Sequence, residues 1–179
     1  AMATGALPRQ GRTRYRAAMT DPIRPADAEA RALARELIDG ARHGALGVID
    51  PESGGPMVSR VAVATDGRGG PVSLVSDLSH HTRALAANPA CSLLLGEPGA
   101  KGDPLTHPRI TLLARARFLR HGEDGHPEMA ERYLAQRPKA QLYIGFADFS
   151  FLLYEITAAH LNGGFGKAYL LGPGDLDRA

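Results

Sequence analysis

Residues 25–42 read PADAEARALARELIDGAR. The apolar positions Ala30, Leu33, Ala34, Leu37, Ile38 and Ala41 recur there at three- and four-residue steps, the spacing of one helix face. Arg31, Arg35, Asp39 and Arg42 fall mainly on the other side. Pro25 suits a first turn that does not need its missing N–H, and Gly40 and Gly44 mark the end. The pattern predicts an amphipathic helix over 25–42. The period then changes. Segments 44–50, 57–66, 71–77, 91–97, 109–121 and 148–161 are short apolar or β-branched runs, several of them separated by turns such as PESGGP and GRGG. They predict six strands with hairpin punctuation. Residues 126–143 read as helix, opened by Pro127 and broken near Arg137-Pro138. Residues 162–171, NGGFGKAYLL, read as a Gly-rich turn and a short extended piece. The sum predicts a mainly β fold, a small closed or nearly closed antiparallel barrel with added helices.

The chain has 179 residues, 44% hydrophobic and 22% charged, which suits one globular domain with a real core. No apolar run approaches the roughly 18–20 residues that span a bilayer, and the N-terminus has no secretory apolar region. The expectation is a cytoplasmic protein without a membrane partner. The single cysteine, Cys91, excludes an intramolecular disulfide framework and a Cys-cluster metal site. The pI near 8.9 points to nucleic acid until the charge is located. Residues 1–18 hold Arg9, Arg12, Arg14 and Arg16 and no acid, while the whole chain carries only +2. The body is therefore mildly acidic, and no nucleic-acid partner is expected. Residues 1–22 are expected to form a basic, disordered extension, 23–173 the domain and 174–179 a tail.

Side chains alternate along the second strand. Val61, Val63 and Thr65 share one side and suit a core. Arg60, Ala62 and Ala64 share the other, where small wall residues leave room for a flat ligand and Arg60 for its anion. Packing of the alanines beneath a helix is the competing explanation. Residues 76–95, SDLSHHTRALAANPACSLLL, place polar groups at the start of a short helix from about His80 to Ala87, with Ser79 able to cap it and Pro89 beyond its end. Its first amides point outward with partial positive charge behind them, and His81, Thr82 and Arg83 cluster there, as an anion site requires. An ordinary cap with surface polar residues would look the same. His80 and His81 are adjacent, so they cannot both face one metal from a regular helix, and no metal site is expected. A single His still suffices as an axial haem ligand. HLNGGFGKAYLL, 160–171, fails as a P-loop in spacing and lacks Ser or Thr after Lys167. Its glycines permit close backbone approach, with Phe165 and Lys167 beside them. No nucleophile triad or carboxylate pair is evident, so any redox chemistry would belong to a cofactor.

Three stretches, SRVAVATD at 59–66, SDLSHHTRALAANPACSLLL at 76–95 and FADFSFLLYEITAAHLNGGFGKAYLL at 146–171, resemble the pyridoxamine 5′-phosphate oxidase-related FMN-binding proteins. The similarity is strongest to the branch with the HugZ-type haem-utilisation proteins, over about residues 24–171. The resemblance implies a six-stranded antiparallel split β-barrel of FMN-binding type, with FMN in a cleft between two subunits of a homodimer. It implies that Arg60, Val61, Ala62 and Val63 run along the flavin, with Arg60 at its phosphate. Val75 and Ser76 fall at the family's aromatic-Thr pair, and His81, Thr82 and Arg83 near its phosphate clamp. Phe165 and Lys167 correspond to residues that close over the ring. Thr65 stands where vitamin-B6 oxidases carry Lys, and the chain has no Trp, so vitamin-B6 oxidation is not expected. The implied function is an FMN-dependent oxidoreductase acting on a small-molecule substrate. The alternatives are a haem-binding or haem-degrading protein on the same fold, and a non-catalytic dimer that binds a flavin or a partner.

Overall fold

The computed structural model describes residues 23–164 and 166–177. The expected basic extension, Phe165 and the last two residues lie outside them. Nine strands form: β1 (Ile23–Pro25), β2 (His43–Ile49), β3 (Pro56–Ala62), β4 (Ala64–Thr65), β5 (Pro71–Ser76), β6 (Ala90–Leu95), β7 (Arg109–Leu119), β8 (Phe149–Asn162) and β9 (Ala168–Leu171). Three α-helices accompany them: α1 (Ala28–Gly40), α2 (His80–Ala87) and α3 (His126–Gln136).

The helix stripe buries as its spacing requires. Ala30, Ala34 and Ile38 are in the core, with Leu33, Leu37 and Ala41 packed against it. The start differs from the expectation. Pro25 ends a strand, and Asp27 caps α1 by accepting from the Ala30 amide at 2.7 Å, because a carboxylate satisfies an orphan amide and a proline at the first turn only omits one. β1 pairs in parallel with β9, so the sheet is mixed at that edge.

The sheet order is β1-β9-β8-β7-β6-β2-β3, with β5 paired to β8 and β4 to β5. β8 is the hinge of the architecture. β7 runs along most of its length, its first five residues pair with β5, and its last four with β9. β3 lies beside β5 with no ladder between them. The sheet is therefore a split barrel and does not close through hydrogen bonds. Two cores flank the split. One, under α1, centres on Leu46, Leu93, Leu112 and Leu161; the other, under α3, on Val72, Tyr133 and Phe151. Leu176 is buried against the first, and Asp175 pairs with Arg31 at 2.8 Å.

The expected single strand over 57–66 is two strands. At Val63 the chain leaves β2 and joins β5. The Val63 amide donates to the Arg42 carbonyl at 3.0 Å, and its own carbonyl accepts from the Arg137 guanidinium. The change of partner resets the alternation. Ala64 turns inward to be almost fully buried in the second core, so it is not a wall residue beside Arg60 and Ala62. Thr65 lies partly exposed, its backbone bonded to the Gln136 side chain in both directions at 2.9 Å.

Candidate functional site

The gap between β3 and β5 is a cavity of about 290 Å³. Arg60, Val61 and Ala62 line it from β3, and Leu74, Val75 and Ser76 from β5. Ser79 and His81 close it at the start of α2, and Tyr143 and Phe149 from the segment entering β8. A second hollow of about 300 Å³ shares Ala62 and Tyr143 with it and adds Arg42, Arg137 and Lys139. The two make a cleft with apolar and aromatic walls and cations toward both ends.

Arg60 projects from the outer side of β3, opposite Ala45 in register, and has no hydrogen bond or ion pair among the described residues. An exposed guanidinium without a counter-charge is open to a carboxylate or phosphate. Tyr143 and Phe149 stand with ring centroids 5.1 Å apart, a tilted pair that offers π surface to a planar ligand. Ser76 Oγ donates to Asp148 Oδ2 at 2.5 Å and accepts from the Leu78 amide at 3.1 Å. It holds the loop in place and has little left for a ligand.

The start of α2 is pinned twice. His80 Nε2 meets Asp50 Oδ1 at 2.8 Å, and His81 Nδ1 meets Ser59 Oγ at 3.0 Å. Hydrogen bonds from Ser53 and His80 hold the Asp50 carboxyl well below the ordinary carboxylate range. Burial, and then the neighbouring His80, pull His81 below the ordinary histidine value. Ser79 sits at the N-cap but its hydroxyl makes no cap bond; the expected cap is backbone geometry alone, and among the described residues the hydroxyl at the cavity has no partner. Thr82 is buried with Oγ1 unpartnered among the described residues.

Of the residues singled out from sequence, Arg60, Val61, Ala62, Val75, Ser76 and His81 converge on the cavity. Val63 is a core residue. Thr82 and Arg83 lie one step further along α2 and do not line the cavity, and Arg83 is exposed with no ion pair among the described residues. Lys167 bonds Glu29 of α1 at 3.0 Å and does not line the cavity. Leu74, Tyr143 and Phe149 were not anticipated. A larger groove of about 590 Å³ lies between the β4–β5 turn, β7 and α3. Its lining mixes Arg68, Arg117 and Arg132 with Asp66, Glu128 and Glu155, so it presents no field of one sign to an anion, and the split is the better candidate. Among the described residues no three His, Cys, Asp or Glu are grouped to hold a metal ion, and no helix is long and apolar enough to cross a membrane.

A barrel split at β3 and β5, with its cavity in the split, is the architecture of the pyridoxamine 5′-phosphate oxidase-like proteins. A protein of the pyridoxinephosphate oxidase family from Clostridium acetobutylicum superposes with a TM-score of 0.64 at 14% identity, covering 84% of this chain and 99% of that one. The match to the family model "CREG, beta-barrel" spans residues 25–175, and the chain belongs to that family. A haem-binding protein from Mycobacterium smegmatis is 30% identical with a TM-score of 0.74, over 86% of this chain and 61% of that one. The chloroplastic non-canonical haem oxygenase HOZ of Arabidopsis thaliana is 35% identical over 147 residues, 80% of this chain. The chain spans 43% of that relative's length.

Proposed function

We propose that this chain binds haem in the cleft between β3 and β5. The observation that carries the reading is Arg60. Its guanidinium has no counter-charge among the described residues, at one end of a cleft whose walls are Ala62, Tyr143 and Phe149. Haem is flat and apolar with two carboxylates at its edge, so aromatic walls and a cation match it. Arg42 and Lys139 supply cations at the other end of the cleft. The donor set also fits the iron, because His81 brings an imidazole to the lining of the same cavity. The two relatives at 30% identity or more that are named for haem support the same choice.

One protomer offers a hollow at the low end of ligand-pocket sizes, which supports completion by a second copy. The outer face of β3, β2, β6 and β7 favours such a homodimer. Val58, Leu94 and Leu113 are exposed on one side of those strands, together with Ala45 and Gly47 and adjoining Arg60. Val58 alone is 67% exposed, and apolar surface of this kind gains by burial.

FMN is the second reading. The Ser79 hydroxyl favours it, since it lines the cavity at the start of α2 without a cap bond and is placed to donate to a phosphate at a helix N-terminus. Haem would supply redox iron and FMN a two-electron ring to a small-molecule substrate. The test is titration of the full chain with hemin and with FMN, then competition between them. The haem reading expects a saturable Soret change that excess FMN does not reverse. Tight FMN binding without a Soret change supports the flavin oxidoreductase instead, and binding of neither leaves a non-catalytic dimer module.

A further inference from the structure

The chain has seven histidines, and their surroundings separate them. His43 Nδ1 faces Glu97 at 3.4 Å and His80 Nε2 faces Asp50 at 2.8 Å. Both ring nitrogens of His107 are bonded to its own loop, to the Gly99 amide and the Lys101 carbonyl. His121 Nε2 donates to the Phe146 carbonyl at 3.2 Å. His126 is buried against Phe151, and His160 lies exposed on the outside of β8. Among these seven, His81 alone lines the cleft cavity.

We propose that His81 is the iron ligand of this protein and that Ser59 is its positioning residue. The inference rests on the haem reading and assigns a role to one imidazole within it. Ser59 lies on β3 beside Arg60, and its Oγ is 3.0 Å from His81 Nδ1. With the proton on Nδ1 the ring donates to Ser59, and Nε2 keeps its lone pair. Nε2 has no hydrogen-bond partner among the described residues. Metal-bound histidines are commonly held in this manner, one nitrogen fixed by a hydrogen bond that sets the tautomer and the other left for the metal. The adjacent His80 is used differently: its Nε2 is committed to Asp50, which anchors the helix start from which His81 projects. The two neighbouring histidines thus divide the work, one for position and one for ligation.

The test uses the full chain loaded with hemin, read by absorbance, electron paramagnetic resonance and, after reduction, the iron–histidine stretch in resonance Raman. The wild type is expected to give a histidine-ligated spectrum. His81→Ala loses that signature and millimolar imidazole restores it, with circular dichroism checking that the variant is folded. Ser59→Ala keeps haem but shifts the iron–histidine stretch and the midpoint potential, which a merely structural role would not move. His43→Ala leaves the spectrum unchanged. If wild type binds hemin and His81→Ala gives the same spectrum, the ligand assignment is overturned while the haem reading stands. If folded His81→Ala loses haem and imidazole does not restore the signature, His81 shapes the cavity and the assignment is likewise overturned. If wild type gives no Soret change, the haem reading itself fails and the assignment with it.

Discussion

Arg137 donates its guanidinium to the carbonyl of Val63, 74 positions earlier in the chain. The same nitrogen bonds the Ala41 carbonyl at 2.8 Å, and its neighbour bonds the Gln136 carbonyl at 2.8 Å. One side chain therefore ties the end of α1 and the exit of α3 to the residue at which β3 becomes β4. Because Val63 is held there, Ala62 remains on the open side as cleft wall and Ala64 turns into the second core.

Arg137→Ala should be among the more damaging single changes outside the apolar core. It leaves partly buried carbonyls without donors, at a cost of about 2–3 kcal/mol. Urea denaturation followed by circular dichroism measures it. A loss within about 0.5 kcal/mol would mean that β3 and β4 part company for another reason.

Stability should fall as pH drops below about 6.5. His126 is buried beside His121, and burial first, then His121, lowers its affinity for a proton; Glu123 acts weakly against them. His81 is lowered as well. Unfolded histidines take up protons near pH 6.5 while these two resist, so the unfolded state binds more protons there. Their contribution is present above pH 6.5 and lost as pH falls through the depressed folded-state values. His126→Phe, which keeps a ring against Phe151, should flatten the decline between about pH 6.5 and 5. Thermal melts across that range decide the point, and an unchanged slope would count against it.

Arg60→Ala and Arg83→Ala should differ. Arg60 lines the cleft and Arg83 does not. Loss of a charge-assisted hydrogen bond at Arg60 should weaken hemin or FMN by about 1.5–3 kcal/mol, roughly 10- to 150-fold. Arg83→Ala should change affinity by less than about threefold. Equal losses in titration would move the anion site outward along α2.

Val58→Glu should separate the proposed dimer. It puts a carboxylate on the outer apolar face, on β3 where residue 58 opposes Gly47 of β2. An unpaired buried charge costs several kcal/mol, so association should weaken by more than about 100-fold. Sedimentation velocity should find a wild-type dimer and a variant monomer. A wild-type monomer would exclude the interface.

Much of this was legible in the letters. The α1 stripe, the limits of α2 and most strands in their succession along the chain follow from period and turn residues, which act locally. The break at Val63 was not, because the alternation SRVAVAT runs on without interruption and its cause lies at Arg137. The parallel β1–β9 pair is hidden for a similar reason: three exposed residues at a sheet edge carry no pattern. At the site, the β3 wall and His81 were legible because strand parity and a polar helix start point to them. Tyr143 and Phe149 were not, since they reach the cleft only through the path of residues 138–149 after α3. Lys167 carried the right charge, but Glu29 holds it away from the cleft.

A crystal structure of the full chain grown with hemin tests the central claim most directly. The ring should lie against Ala62 and the Tyr143–Phe149 pair, with a carboxylate on Arg60. Haem bound in the mixed-charge groove beside α3, with the β3–β5 cleft filled by side chains, would contradict the account.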